Sequence, residues 1–477
     1  MNTNLLGIRE LSLSLGAFHI SFSENKYFTS VSIDSRIVKP GALFFALAGT
    51  VSDGHNFVED AFNAGAYAAM VESSKLEKYD LADLAKKMSK DLIVVSDTLK
   101  GLQDSARVYL EKFPNLIKVG ITGSSGKTTT KEIAAAIISG DKKVIKNQGN
   151  LNSETGLPLS VFDVRDYHEV GVFELGMNRK NEISEIAEVL KPNIALVTNI
   201  GSSHIEFFGR KEGIVNEKKC IYKFLNDNDI ALIPENDEFA NELAEGVNGI
   251  VKKYSAKCFD ELEGVRSLGL QGTEITWAGE KIHFALPGSH NLENAIAAIA
   301  ISREIPVSYN AIKQGLESVK PLFGRLEILT GDRTTVIRDC YNANPESMAK
   351  CIEFCDSIEW PGRKIYVIAG MMELGSNSEP EHKKIGFLLS VSAAKMIFLF
   401  GKETETIASC LTENQKSFFH TNDINELYPA LDSYAKQGDL VLLKGSRSFA
   451  LERLSSIQGV SCENRHMSAA KNGFTEV

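Results

Sequence analysis

The stretch LIKVGITGSSGKTTT, residues 116–130, decides the fold of the middle of this chain. Its apolar first half predicts a buried strand, and the helix-compatible run KEIAAAIISG follows at 131–140. The turn between them is rich in glycine and serine, so its backbone N–H groups can bind phosphate oxygens at the start of a helix. Lys127 adds a positive charge for terminal phosphates, and Thr128 places a hydroxyl where Mg²⁺ binds in such loops. We therefore predict a nucleotide-binding loop made of Gly123, Ser124, Ser125, Gly126, Lys127, Thr128 and Thr129.

This loop differs from the common phosphate-binding pattern, whose spacing would put its first glycine at position 121. That position is Ile121, and the chain carries the shorter series Thr122-Gly123-x-x-Gly126-Lys127-Thr128-Thr129. A glycine- and serine-rich turn with an exposed lysine is the competing interpretation. The apolar strand before the turn and the three threonines after the lysine favour nucleotide binding.

Length, charge and cysteine content exclude several classes of protein. At 477 residues the chain is too long for one hydrophobic core, so two to four domains are expected. The formal net charge of −10 argues against a general binder of nucleic acids or membrane surfaces. The seven cysteines, without paired C-x-x-C spacing, indicate reduced thiols and neither a disulfide framework nor a zinc site. Because no signal-peptide pattern and no membrane-spanning apolar run occurs, we predict a cytoplasmic protein without membrane insertion.

Short apolar runs alternate with helical patterns through most of the chain. One series of runs comprises LIKVGITG (116–123), KKVIKNQ (142–148), EVGVFELG (169–176), IALVTNIG (194–201) and DIALIPEN (229–236). A second series comprises TTVIRDCY (334–341), KIYVIAGM (364–371), AKMIFLFG (394–401) and DLVLLKGS (439–446). Such runs predict parallel strands covered on both faces, in α/β units. The Ala- and Ile-rich segment 286–302 predicts a buried helix between the series, and the first 95 residues form a third unit.

Three further residues follow predicted strands of the first series. Glu174 lies in ELGMN, His204 in TNIGSSHIE, and Lys218 fourteen residues later in GIVNEKKCIYKFL. Carboxyl ends of strands are where open α/β sheets bind ligands, and both Glu174 and His204 can ligate a hard cation. Taken one at a time, a structural glutamate and a capping or core histidine are the commoner interpretations, and an exposed lysine is also compatible with the pattern.

These motifs together resemble the central domain of the Mur ligases, the ATP-dependent amino-acid ligases of peptidoglycan synthesis. At the N-terminus, DSRIVKPGALFFALAGTVSDGHNFVEDAFNAGAYAAMVE (34–72) resembles the UDP-binding domain of that family. The segments that favour its dipeptide-adding branch are NQGNLNSETGLP (147–158), PLFGRLE (321–327), DCYNANPES (339–347), MMELGSNSEPEH (371–382) and LLKGSRS (442–448). The resemblance implies a mixed α/β UDP-sugar-binding domain (1–96), a central P-loop ATP-binding domain with a parallel sheet (97–322) and a C-terminal Rossmann-like ligase domain (323–477).

The resemblance also implies a reaction. ATP would phosphorylate a substrate carboxylate, an amine would attack the acyl phosphate, and phosphate would leave as the amide forms. Lys127 and two Mg²⁺ ions would supply positive charge between the two anions. By position, Thr128 and Glu174 would hold one metal ion, and Glu174, His204 and a CO₂-derived carbamate on Lys218 the other. An ammonium would repel Mg²⁺, so Lys218 fits only as a carbamate, with Lys219 as the alternative if the register is off by one.

The remaining site residues are implied by the resemblance alone. Asn291 is expected at adenine, and Arg325 and Asp339 at the phosphates and ribose. The UDP-N-acetylmuramoyl-tripeptide would meet Ser35, Arg36, Asp53, His55, Asn56, Asn150 and Asn152. Lys444 and Arg447 would address D-alanyl-D-alanine or close the cleft. A monomer with no nucleic-acid partner is expected.

Two other functions remain open at this point. One is addition of a diamino acid to UDP-MurNAc-dipeptide, which the missing D-N-P-R motif and the presence of YNANP disfavour. The other is a non-ligase, ATP-binding regulatory protein, which would need neither the metal set nor a sugar-nucleotide module.

Overall fold

The computed structural model describes residues 4–22, 26–49 and 52–459. Three large sheets follow one another along the chain, each covered by helices, and a small two-stranded and a three-stranded sheet accompany them. The predicted α/β class with three domains is confirmed. Within the described residues, no helix combines the length and the apolar character that crossing a membrane requires.

The central sheet has six parallel strands. Their spatial order is Ile250–Tyr254, Ile230–Pro234, Ile194–Val197, Ile117–Thr122, Val170–Glu174 and Val144–Lys146. The helices of this part are Lys127–Ile138, Gly156–Val161, Glu182–Leu190, Ile205–Phe208, Lys211–Lys219, Ala240–Ala244, Ser289–Arg303 and Tyr309–Ser318. The middle strands are buried on both faces, which explains their continuous apolar sequences.

The helix that follows the glycine-rich turn is packed from both sides. Lys127–Ile138 lies against strands of the sheet and against the helices Ser289–Arg303 and Tyr309–Ser318. A Cβ on Gly315 would lie 2.4 Å from Ile137 Cα, so glycine lets the two helices approach closely. Most of Ser289–Arg303 is buried, as the Ala- and Ile-rich sequence predicts.

The C-terminal sheet also has six strands, five of them parallel. The order is Glu327–Thr330 (antiparallel), Thr334–Asp339, Asp439–Lys444, Lys364–Ala369, Met396–Phe400 and Phe418–Thr421. Its helices are Pro345–Ser357, Ser378–Ser390, Glu405–Glu413 and Ile424–Tyr434. All four strands predicted here are present, and the short outer strands at either edge were not predicted.

The N-terminal part is built on a five-stranded sheet. The order is Phe18–Ile20 (antiparallel), Asp91–Val95, Ala68–Glu72, Ala42–Phe45 and Ser30–Ser32, and Leu6–Gly7 pairs separately with Tyr27–Phe28. The helices are Ile8–Ser14, Val58–Asn63, Leu81–Met88 and Thr98–Leu110. The last of these packs on this sheet and on helices of the central part, so it joins the two.

A three-stranded antiparallel sheet within the central part was not predicted. Leu262–Ser267, Thr273–Trp277 and Glu280–Phe284 form it. Its first strand is mostly exposed and mixes glycine and charge with apolar residues, so the sequence lacks the continuous apolar run that marks the other strands.

Candidate active site

A cleft of about 830 Å³ opens where the carboxyl ends of the central strands face the C-terminal part. Both parts supply its walls. The predicted residues that line it are Ser124, Ser125, Gly126, Lys127, Thr128, Thr129, Asn150, Asn152, Glu174, His204, Asn291, Arg325, Asp339 and Lys444. One cleft therefore joins most of the residues predicted for the nucleotide and the metal ions.

Two glycines give the turn after Ile117–Thr122 its shape. Gly123 has φ +151°, and a Cβ there would lie 1.8 Å from Thr198 Oγ1. Gly126 has φ +81°, and a Cβ would lie 2.1 Å from Asn294 Oδ1. Both positions need glycine for backbone conformation and for space. Ser124 and Ser125 donate their N–H groups to Asn199, whereas residues 126–129 line the cleft at the start of Lys127–Ile138, where backbone N–H groups have no partner within the helix. A helix start of this kind is suited to binding an anion.

Lys127 is the first residue of that helix and is half-buried. Its Nζ donates a hydrogen bond to Gly123 O, 2.8 Å away. Burial lowers the pKa of Lys127, and the nearby Glu174 carboxylate opposes this shift. The interpretation as an exposed turn lysine is therefore wrong, because the ammonium is held against the loop.

Thr128 and Glu174 meet directly. The Thr128 hydroxyl donates to Glu174 Oε2 at 2.8 Å, and Asn152 Nδ2 donates to Glu174 Oε1 at 2.8 Å. Arg325, from the C-terminal part, donates to Thr128 Oγ1 at 3.0 Å and stacks on Tyr341. Hydroxyl and carboxylate oxygens lining one cleft are suited to Mg²⁺.

His204 and Lys218 stand in different surroundings. His204 has φ +63° and lines the cleft, and its Nδ1 lies 2.6 Å from Glu373 Oε2 of the C-terminal part. Lys218 is buried at 1% exposure, with Nζ 3.6 Å from Met177 Sδ. Burial lowers the pKa of Lys218 well below its usual value, and the charge of Lys127 adds to the effect. Lys218 itself is not among the described residues that line the cleft, but Met177, which its Nζ contacts, is one of them.

The residues predicted for adenine and ribose carry internal bonds. Asn291 is buried, and its Nδ2 donates to Pro287 O at 2.7 Å. Asp339 accepts from Leu326 N and pairs with Lys444 Nζ at 2.9 Å. Although burial acts to raise the pKa of Asp339, the Lys444 ammonium holds it below its usual value. Lys444 is itself buried and donates to Asn342 O, so its first role is to orient Asp339 and the following loop.

The residues predicted for the UDP-sugar lie in the N-terminal part, away from the described lining of the cleft. His55 is buried, with Nδ1 2.6 Å from Asp53 Oδ1 and Nε2 accepting from Glu72 N. Lys75 and Tyr79 donate to Asp53 Oδ2. Both His55 nitrogens are engaged within the protein, so the ring helps to hold this loop together, and its contact with the sugar nucleotide stays a prediction.

The other predicted substrate residues differ in exposure. Ser35 is half-buried, and Arg36 is exposed and paired with Asp34. Asn56 Nδ2 donates to Asp53 O. Asn150 is exposed in the cleft wall. Arg447 pairs with Glu452 and lies outside the described lining of the cleft, as Ser35, Arg36 and Asn56 do.

Several cleft residues were missed by the sequence reasoning. Glu346 accepts from Ser202 N and Oγ across the two parts, and Asn344 donates to Ser203 Oγ at 2.5 Å. Asn147 and Glu373 belong to motifs quoted above but were not singled out. Asn147 stands at the end of one predicted strand, in NQGNLN, and Glu373 just after another, in MMELG, and these positions were the available signal.

Comparisons with known proteins agree with this geometry. The family descriptions that match are "Mur ligase family, catalytic domain" at 27–109, "Mur ligase middle domain" at 121–302 and "Mur ligase, glutamate ligase domain" at 324–447. The UDP-N-acetylmuramoyl-tripeptide–D-alanyl-D-alanine ligase of Treponema pallidum (strain Nichols) is 39% identical over 432 residues, 90% of this chain and 94% of that protein. The ligase of the same name from Bacillus subtilis (strain 168) is 34% identical over 89% of this chain and 92% of its own.

Solved structures give the same result. Crystal structure I of MurF from Acinetobacter baumannii has a TM-score of 0.85 at 26% identity and covers 96% of this chain and 100% of that one. The MurF ligase of Thermotoga maritima in complex with ADP has a TM-score of 0.75 at 28% identity, covering 90% and 96%. The chain belongs to the Mur ligase family.

Proposed function

We propose that this protein is an ATP-dependent ligase that joins D-alanyl-D-alanine to UDP-N-acetylmuramoyl-tripeptide during synthesis of the peptidoglycan precursor. The observation that carries the proposal is the hydrogen bond between Thr128, directly after the glycine-rich loop, and Glu174, at the end of its strand, in a cleft that the C-terminal part also lines. Relatives that bear this activity in their names match the chain over nearly their whole length, which supports the choice of substrates.

The chemistry needs a carboxylate made electrophilic. ATP would transfer its terminal phosphoryl group to the tripeptide carboxylate, giving an acyl phosphate. The free amine of the dipeptide would attack the acyl carbon, and the tetrahedral intermediate would expel phosphate. Lys127 and the loop N–H groups would neutralise the phosphates, and Arg325 would add charge from the C-terminal part. Because ATP and the tripeptide carboxylate are both anions, these cationic groups lower the free-energy cost of bringing the two together.

Metal ions fit the residues present. Within the described ranges, no group of three or more His, Cys, Asp or Glu side chains is placed to hold a metal ion, so a divalent ion here would need further oxygen ligands. Thr128 and Glu174 would hold one Mg²⁺, and Glu174 and His204 a second, with nucleotide phosphates completing the sets. When bound, such ions neutralise charge on the phosphoryl group.

Lys218 would complete the second metal site as a carbamate. Its lowered pKa favours the neutral amine, which is the form that adds CO₂. The product is an anion with oxygen donors, whereas the ammonium would repel the metal ion. Lys219, the alternative, is half-buried and Lys218 is fully buried, which supports Lys218 as the position of the carbamate.

The nucleotide and substrate contacts follow the same division. We propose Asn291 and Asp339 on the adenosine side, and Asn150 and Asn152 on the muramoyl-peptide side. Ser35, Arg36 and Asn56 would meet the uridine diphosphate, with Asp53 and His55 in the same loop, and Arg447 would help to close the cleft. A cytoplasmic monomer with domains at 1–96, 97–322 and 323–477 completes the proposal.

Phosphate release tests this function directly. The purified protein is incubated with Mg²⁺–ATP, and phosphate is measured with each substrate alone and with both together. We expect release to require UDP-MurNAc-tripeptide and D-Ala-D-Ala and to match the ligated product in amount. Release with UDP-MurNAc-dipeptide and a diamino acid would instead identify the other branch of the family. Release independent of all these substrates would contradict a ligase.

A further inference from the structure

Lys131 is a buried lysine that the proposed chemistry does not use. It lies on Lys127–Ile138, one turn beyond Lys127, and is 1% exposed. Its Nζ donates to Asn147 O at 2.7 Å and lies 3.3 Å from Glu132 Oε1. A buried ammonium is costly unless it is paired and hydrogen-bonded, so its partners show what it stabilises.

Its main partner, Asn147, holds the end of the strand that carries Glu174. Strand Val144–Lys146 pairs with Val170–Glu174 only as far as Val172. The Asn147 side chain continues the pairing, because Nδ2 donates to Glu174 O at 3.0 Å and Oδ1 accepts from Glu174 N at 2.9 Å. Nδ2 also donates to Leu151 O at 2.7 Å. Every hydrogen-bonding atom of this buried amide is engaged.

The same loop reaches the Glu174 carboxylate. Asn152, five residues after Asn147, donates from Nδ2 to Glu174 Oε1, and its carbonyl accepts from Gly176 N at 2.7 Å. The loop 147–152 thus fixes Glu174 at its backbone through Asn147 and at its carboxylate through Asn152. Lys131 anchors the beginning of this loop to the helix of the phosphate loop.

We propose that Lys131 is a positioning residue for the metal-binding carboxylate. It acts through Asn147 and Asn152, and it keeps Glu174 in register with Thr128 on the same helix. The inference rests on the proposed function, since it takes Glu174 as a Mg²⁺ ligand. Groups that orient a metal ligand typically change metal affinity 10- to 100-fold when they are removed.

Magnesium-dependent nucleotide binding tests this role without turnover. Calorimetry with the non-hydrolysable analogue AMP-PNP measures two quantities. One is the affinity of the protein for AMP-PNP in EDTA, without metal. The other is the Mg²⁺ concentration at which the increase in AMP-PNP affinity caused by Mg²⁺ is half complete. For Lys131→Met we expect the half-saturating Mg²⁺ to rise about tenfold. Affinity in EDTA should stay within about twofold, because the loop N–H groups and Lys127 remain. Lys416→Met is the matched control, since Lys416 Nζ also donates to a backbone carbonyl, that of Ser392 at 2.6 Å in the C-terminal part.

A double-mutant cycle separates positioning from a general loss of stability. If Lys131 acts through the loop, Lys131→Met and Asn152→Ala should combine less than additively in their effect on half-saturating Mg²⁺. A Lys131→Met protein with a lowered melting temperature and an unchanged Mg²⁺ requirement would overturn the proposal, as would an additive cycle. If Lys131→Met fails to fold, Asn147→Asp takes its place, because it keeps the same volume and lacks the donors to Glu174 O and Leu151 O. A wild-type Mg²⁺ requirement in Asn147→Asp would overturn the proposal. Absence of any Mg²⁺ effect in the wild type would refute the proposed function instead.

Discussion

Gly126→Ala tests the shape of the phosphate loop, and Gly246→Ala is its natural control. Both glycines have positive φ, +81° and +68°. A side chain in this backbone region costs about 1–2 kcal/mol. At Gly246 no heavy atom of the described chain lies within 4 Å of the added Cβ, so only this backbone cost is expected.

At Gly126 the added Cβ would lie 2.1 Å from Asn294 Oδ1, and Asn294 is buried. Forcing a buried neighbour aside adds about 1–3 kcal/mol. We therefore expect a loss of about 2–5 kcal/mol in the free energy of unfolding by urea, against about 1–2 kcal/mol for Gly246→Ala. Calorimetry should show loss of ADP binding in Gly126→Ala alone. Equal destabilisation of the two variants, with wild-type ADP affinity in both, would refute the loop geometry.

Four further perturbations follow from the site. Lys127→Ala should lower ligation at least 100-fold and leave the melting temperature nearly unchanged; turnover close to wild type would remove the lysine from the mechanism. Lys218→Ala should lose most activity at saturating bicarbonate and Lys219→Ala should keep it, whereas loss in the second variant alone would move the carbamate by one position. Burial and a hydrogen bond with Glu154 raise the pKa of Glu182 to about 7, so protonation stabilises the fold at low pH and this stabilisation is lost as pH rises from about 4.5 through 7. Over that range the free energy of unfolding by urea should therefore fall on the order of 2 kcal/mol more in the wild type than in Glu182→Gln, and a difference between the two proteins that does not change with pH would contradict the raised pKa of Glu182. When ADP and UDP-substrate are added together, the radius of gyration measured by small-angle scattering should decrease, or stay the same if the cleft of the free protein is already closed; an increase would count against closure.

Much of the fold could be predicted because buried parallel strands have unbroken apolar sequences. Each run of the two predicted series corresponds to a strand, and the pairing of Glu174 with Ile121 across neighbouring strands brings Glu174 beside the phosphate loop. The contact between Thr128 and Glu174 follows from this register. The exposed strand Leu262–Ser267 carries no such pattern and was missed.

The finer site depends on side-chain placement that sequence patterns do not contain. His55 stands in a motif that resembles a ligand loop, but it is buried and bonded on both ring nitrogens. Lys131 is one charged residue in a helix whose exposed and buried positions are set by packing against the sheet and against Ser289–Arg303 and Tyr309–Ser318. The contact of His204 with Glu373 joins residues far apart in the chain and requires the two parts to meet.

The fate of oxygen in the tripeptide carboxylate tests the proposed ligation most directly. UDP-MurNAc-tripeptide labelled with ¹⁸O in its reacting carboxylate is turned over with ATP and D-Ala-D-Ala, and both products are analysed by mass spectrometry. Because phosphorylation occurs on a carboxylate oxygen that leaves with the phosphate, we expect one ¹⁸O in each phosphate released and one in each new amide. Unlabelled phosphate alongside ligated product would contradict the acyl-phosphate route, and phosphate without product would contradict the ligase itself.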